Sequence, residues 1–141
     1  MAETDASIRL AAADCAEHVL PLFEDRFADR GPRIAIEAAR GFAHGTVSAD
    51  ELSEANGLAL EVATAITEVG GAHAAARAAA QAAAPGDPNE ALWATLREAE
   101  EAVLASRPTQ LAKWCALSAE QRWQRDRLMD VFIEDARRRA I

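Results

Sequence analysis

Apolar positions recur at spacings of three and four along nearly the whole chain, the period that holds one stripe on one side of a helix. In the first segment Ile8, Ala12, Cys15, Val19 and Leu22 form such a stripe, with Ser7 or Asp5 placed to cap its start. Pro21 lacks an amide hydrogen and clashes one turn back, so the helix must kink or restart there; Leu22, Phe23 and Phe27 still read as core-facing. Gly31-Pro32 punctuates next, with Pro32 suited to a first helical position. A short second helix carries Ile34, Ile36, Ala39 and Phe42 inward and ends at Gly45. Ser48 followed by Glu51 makes a capping box. After it Leu52, Ala55, Ala59, Val62, Ile66 and Val69 give the cleanest stripe in the chain, which Gly70-Gly71 should stop.

From Ala72 to Ala84 the chain is almost wholly alanine, with His73, Arg77 and Gln81 four apart on one polar edge. Alanine favours helix but buries little area. Such a segment works by letting neighbouring backbones approach closely, which places it between larger helices; a linker is the alternative. Pro85-Gly86-Asp87-Pro88 is the strongest break, with Asp87 as cap and Pro88 opening a helix whose stripe is Leu92, Leu96, Ala99 and Val103. Pro108 then separates a short turn holding Leu111, Trp114 and Cys115. Ser118 with Gln121 reads as a second capping box, starting a last helix anchored by Trp123, Leu128, Val131 and Phe132.

No segment alternates with period two, β-branched residues are sparse and tyrosine is absent, so strands have no support. The expected fold is all-α, an irregular bundle of about six or seven helices joined by short loops, with residues 1–141 forming a single domain. Half the residues are apolar and 27% are charged, a composition that can bury a core without help.

Charge narrows the function classes. Fifteen Lys and Arg against 23 Asp and Glu leave a net charge of −8, a field that repels phosphate and anionic membranes, so neither nucleic acid nor membrane is an expected partner. The same field attracts a basic protein. Residues Met1 to Asp5 offer no basic start to a signal peptide, and no run reaches 18 apolar residues. Cys15 and Cys115 are the only cysteines, with no CxxC pair, and reduced thiols in the cytoplasm are the default reading.

Asp14, Cys15, Glu17 and His18 are the densest group of potential ligands or catalysts. Asp14 and His18 share a helix face, and a small metal-binding protein or enzyme centred on Asp14, Cys15 and His18 is the alternative function. It would need further ligands from distant segments, such as His44, His73 or Cys115, while Cys15 sits in the apolar stripe, where a thiol packs as a small hydrophobe. Neither a GxxxxGK[ST] nor a GxGxxG string occurs, and no cofactor is expected. The carboxylates of Glu24-Asp25 and Glu98-Glu100-Glu101 read as solvated faces. Arg122, Arg125, Arg127 and Arg137 to Arg139 complement the negative end of the last helix, or form a phosphate strip. Trp93, Trp114 and Trp123 read as core residues first, with Trp123 the candidate anchor for a partner.

Four strings carry a resemblance. They are Asp14-Cys15-Ala16-Glu17-His18-Val19-Leu20-Pro21-Leu22-Phe23-Glu24, then Pro32-Arg33 with Ile36-Glu37-Ala38-Ala39-Arg40, then the Ala/His/Arg run 72–84, and last Gln121-Arg122-Trp123-Gln124-Arg125 with Leu128. Together they resemble the Imm-5-like immunity proteins of bacterial polymorphic toxin systems. The chain departs from that pattern over residues 89–106, which carry Leu92, Trp93 and a glutamate-rich face and no histidine. The resemblance implies a non-catalytic antidote that binds a toxin, such as a basic toxin domain, made by the same cell. It brings no catalytic or metal residues. It marks Glu17, His18, Arg33, Glu37, Arg40 and Trp123 as binding candidates, the charged ones serving either as internal ties of the bundle or as part of a recognition face. A homodimer, with a second copy covering an exposed apolar stripe, is compatible with either function.

Overall fold

The computed structural model describes residues 3–66, 70–107 and 110–140, which form helices and the turns and loops between them, with no strand among the described residues. Seven helical segments follow in order: α1 (Glu3–Val19), α2 (Pro21–Glu24), α3 (Gly31–Ala43), α4 (Ala49–Ala65), α5 (Gly71–Ala82), α6 (Pro88–Ala105) and α7 (Gln110–Arg139). The all-α expectation holds, and none of these helices is long and apolar enough to cross a membrane.

The alanine-rich segment is the centre of the bundle and not a linker. α5 touches α1, α2, α3, α4 and α6, and its Ala75, Ala76, Ala78, Ala79, Ala80 and Ala82 are fully buried. A methyl group is the largest side chain that lets five helices crowd one axis, so the low-complexity run is a packing solution. Its polar edge is put to use. Arg77 donates from Nε to Glu98 Oε1 of α6 at 3.1 Å, and Ala80 accepts from Asn56 Nδ2 of α4 at 2.8 Å.

Pro21 restarts the helix as expected, sitting in the first turn of α2 behind Leu20, which remains in right-handed helical geometry. Phe23 is thereby driven fully into the core, with Leu22 and Phe27 packed beside it. Two caps predicted from local signals form, the Ser48–Glu51 box with both hydrogen bonds and Asp87 accepting from Asn89 N at 3.0 Å, and Pro32 takes its place in the first turn of α3. Gly45 follows α3 at φ +78°, a left-handed conformation that favours glycine.

Several sequence expectations need correction. α1 begins at Glu3, so Asp5 and Ser7 lie inside it and do not cap it. Acids in that first turn instead complement the positive end of the helix dipole. Ile34 points outward at 42% exposure because the buried face of α3 is Pro32, Ala35, Ile36 and Ala39. α4 ends at Ala65, before the Gly70-Gly71 pair, and its buried stripe is Leu52, Ala55, Ala59 and Ala63; Val69 lies outside the described residues.

The largest correction concerns the last helix. Ser118 and Gln121 do not start it: α7 runs unbroken from Gln110 to Arg139, with both residues exposed mid-helix. The stretch contains no glycine or proline, and a Ser/Gln pair three apart is tolerated in a helix interior. Pro108 lies outside the described residues. At 30 residues, α7 is roughly 45 Å long and packs chiefly on α1 and α6 among the described residues, so much of it is left to solvent. Trp114 and Phe132, expected inside, are 62% and 45% exposed.

One buried charge was not foreseen. Arg9 is 2% exposed and spans from α1 to the C-terminal end of α5, where it donates to Ala84 O at 2.5 Å and Gly86 O at 2.8 Å beneath the Phe42 ring. Carbonyls at a helix end have no partners of their own, so a cation there both satisfies them and meets the negative dipole end.

The crowding around α5 sets the first prediction. Ala79→Leu should lower unfolding free energy by about 2 kcal/mol through overpacking, read as a Tm lower by roughly 6–8 °C in a thermal melt. An unchanged Tm would show that the helices around α5 have room to spare.

Candidate binding site: an ion-paired hub and a histidine–tryptophan clamp

Spacing on two helices builds the hub. Asp14 and Glu17 are three apart on α1, and Arg33 and Arg40 seven apart on α3, so each pair lies on one helix face. The two faces meet. Arg40 reaches Asp14 Oδ1 through Nη2 at 2.8 Å and Glu17 Oε2 through Nη1 at 2.8 Å. Arg33 reaches the same Glu17 oxygen at 3.0 Å and binds Glu24 of α2 in bidentate fashion, at 2.6 and 3.2 Å. From α7, Arg127 donates through Nε to Asp14 Oδ2 at 2.7 Å, with Nη2 also against that oxygen.

Three guanidinium groups thus face three carboxylates, and the hub ties α1, α2, α3 and α7 together. The hydrogen bond from Arg40 holds the Glu17 carboxyl below the usual carboxylate range, against the opposing effect of burial. Arg33 is raised chiefly by its hydrogen bond to Glu24 and Arg40 by its bond to Glu17. Each charge is spoken for, so of the two roles considered for Glu17, Arg33 and Arg40 the geometry describes the internal tie. Glu37 stands apart: it is exposed and lies 3.8 Å from Arg30.

His18 and Trp123 form a second cluster one turn along α1. The two rings stack with centroids 3.8 Å apart and planes 11° from parallel. His18 Nε2 lies 3.0 Å from Glu120 Oε2, and Gln124 Nε2 donates to the other Glu120 oxygen at 2.9 Å. Glu120 is almost fully buried. Burial pushes its carboxyl up, the hydrogen bond from Gln124 and the charge of His18 pull it back, and Glu100 of α6 adds to the rise. Trp123 is therefore half-buried against His18, whereas Trp93 and Trp114 are 64% and 62% exposed.

Asp14, Cys15 and His18 do not share a centre. Asp14 is taken by two arginines and His18 by Glu120, while Cys15 is fully buried. Burial first, then the Glu120 and Asp14 carboxylates, push its thiol up to about 12, which keeps it protonated and poorly nucleophilic. Among the described residues no three His, Cys, Asp or Glu side chains stand close enough to hold a metal ion.

Most members of the hub and the clamp, namely Asp14, Glu17, His18, Glu24, Arg33, Arg40, Trp123 and Gln124, lie in the strings that carried the family resemblance, while Glu120 and Arg127 fall just outside them. A family model described as Imm-5 like putative immunity protein matches residues 3–131, from the start of α1 to Val131 of α7. The chain belongs to this family. Comparison with curated proteins and with solved structures gives no match. For the Imm-5-like chain, the matched span includes every member of both clusters.

Sequence reading missed Arg127 and Glu120 as partners. Both lie on α7, on a face running through Glu120, Trp123, Gln124 and Arg127, and no local signal tells which helix that face meets. With helical spacing of three and four across that stretch, the face becomes legible.

Two measurements test these clusters. Arg40→Ala should cost about 2–3 kcal/mol in urea unfolding, because it leaves Glu17 and Asp14 short of charged donors, and Arg40→Lys should recover only part of that. Glu37→Ala should be within about 0.5 kcal/mol of the parent.

The pH dependence follows from the signs. Glu17 is depressed in the fold, so its contribution is present above the ordinary carboxylate range and lost as pH falls through its lowered value. Glu120 is raised, so its contribution is present at acid pH and lost as pH rises from the ordinary range through its raised value. Glu120→Gln removes the second effect; relative to the parent it should gain stability as pH rises through that window. A stability difference that stays flat with pH would remove Glu120 as the titrating group.

Proposed function

We propose that this chain is a non-catalytic binding protein that neutralises a bacterial toxin by stoichiometric association. The observation that carries the reading is the family match over residues 3–131. Two physical features support it. Clustered polar groups on α1, α3 and α7 are consumed by internal pairing, which leaves the outer faces to act. The net charge of −8 supplies a field that speeds encounter with a basic partner and disfavours phosphate-bearing ones.

α4 gives that field a local surface. It contains Asp50, Glu51, Glu54 and Glu61 and no lysine or arginine. Asp50, Glu54, Leu58 and Glu61 fall four, four and three apart, on one exposed stripe, with Leu58 at 51% exposure in its middle. Glu51 is occupied in the capping box, whereas Asp50, Glu54 and Glu61 make no ion pair among the described residues. An aliphatic side chain bracketed by free carboxylates suits a basic protein face. Binding there occludes the toxin with no turnover, in the cytoplasm of the cell that makes both proteins.

Co-expression with toxin domains encoded beside this chain tests the reading. The expected result is rescue of growth and a 1:1 complex on size-exclusion chromatography. Glu54→Lys with Glu61→Lys should slow association about tenfold or more at low salt and flatten its salt dependence. No rescue by any neighbouring toxin, with the protein folded, would overturn the proposal.

A further inference from the structure

The surface across the bundle from α4 has the opposite character. α4 packs on α3 and α5, whereas α7 packs on α1 and α6. Between α6 and α7 runs an open groove of about 540 Å³. The two helices are joined by a short connection and run antiparallel, so Trp93 stands beside Met129 and Phe132 at one end and Glu100 beside Gln121 at the other. Leu96 and Leu128 form the floor. From Gln121 to Phe132 the α7 wall spans twelve residues, roughly 16 Å end to end, the length of three helical turns.

The groove's apolar content is displayed and not covered. Trp93 is 64% exposed, Met129 54% and Phe132 45%. Large exposed aromatic and methionine side chains gathered in one concavity are the composition of a protein-binding surface, and tryptophan and arginine are among the residue types enriched where binding energy concentrates. Trp93 also borders a second hollow, shared with Gln81, Pro85 and Arg97. It therefore stands as a ridge between two depressions.

The rim decides the occupant. Arg97 of α6 and Arg125 of α7 line the middle of the groove, both exposed, and neither makes an ion pair among the described residues. Glu100 is the only acid among the lining side chains. On a molecule of net charge −8 this is a locally cationic strip. A second copy docked face to face across a two-fold axis would set Arg97 and Arg125 against their own counterparts, a like-charge contact that disfavours it.

We infer that the α6–α7 groove binds an amphipathic helix of a partner protein, about three turns long, whose apolar stripe seats against Trp93, Met129 and Phe132 and whose flanking carboxylates pair with Arg97 and Arg125. This extends the protein-binding reading to a surface distinct from the acidic stripe of α4. Its test needs no toxin, so either can fail alone.

The probe is a fluorescently labelled synthetic helix of about fourteen residues with leucine at every third and fourth position and glutamate on both flanks, set against the same peptide with lysine for glutamate. Anisotropy titration of the full chain should show the glutamate peptide binding roughly tenfold or more tighter than the lysine peptide. Trp93→Ala, an exposed change whose fold is checked by circular dichroism, should weaken it by a similar factor. Arg97→Glu with Arg125→Glu should invert the preference. Equal binding of the two peptides, no binding of either, or indifference to Trp93→Ala would each overturn the inference. So would sedimentation showing a dimer that Trp93→Ala dissolves, which would make a second copy the occupant.

Discussion

Close approach of five helices around the alanine seam of α5 is the constraint on which the rest of the structure depends. Side chains larger than methyl at Ala75, Ala79 or Ala82 would push α1, α3, α4 and α6 outward together, since all four pack on this one helix. The seam is a geometric device more than a hydrophobic one. A buried methyl contributes little area, and hydrophobic stabilisation scales with area. The larger apolar residues that supply it, Phe23, Leu20, Ile36 and Leu52, sit on the surrounding helices and the loop between them.

A core of small residues leaves helix orientation weakly specified, because smooth alanine faces can slide and rotate at small cost. The polar ties answer that weakness. Arg9 locks α1 to the end of α5, Arg77 joins α5 to α6, and Asn56 joins α4 to α5. The hub of Asp14, Glu17, Arg33, Arg40, Glu24 and Arg127 fixes α1, α2, α3 and α7 in one register. Charged hydrogen bonds demand distance and angle where methyl contacts do not. Specificity of the arrangement thus resides in the half-buried shell around the seam.

How much of this the sequence disclosed depended on the range of the signal. Local chemistry was legible: Pro21 restarting a helix, the Ser48–Glu51 box and the Asp87-Pro88 opening each act within four residues and form as read. The alanine run could be placed at the centre because composition alone constrains what can surround it. Ties between segments distant in sequence were less legible. Asp14 and Arg127 are 113 positions apart, and nothing local announces their contact. Two local signals also misled. Ser118 with Gln121 matched a capping box inside a continuous helix, and tryptophan's general preference for burial failed at Trp93, one position off the inward stripe of α6. Its neighbour Leu92 takes the inward place, and the 100° step to Trp93 turns it to solvent.

That outward turn links fold to function. With the seam closed and the hub electrically balanced, the unspent interaction capacity lies at the two ends of the bundle: carboxylates around Leu58 on α4, and arginines around Trp93 on α6 and α7. The proposed binding role calls for a rigid body with adhesive faces more than for a cleft. Rigidity here comes from the polar ties that hold the alanine seam in register, and adhesion from large side chains displaced to the outside. At Trp93 the displacement follows from the packing, since α6 lies against α5 and an axis crowded to methyl size has no space for an indole ring. Trp114 sits on α7, which packs on α1 and α6, and Trp123, held by His18 above the buried Glu120, finds a half-enclosed seat.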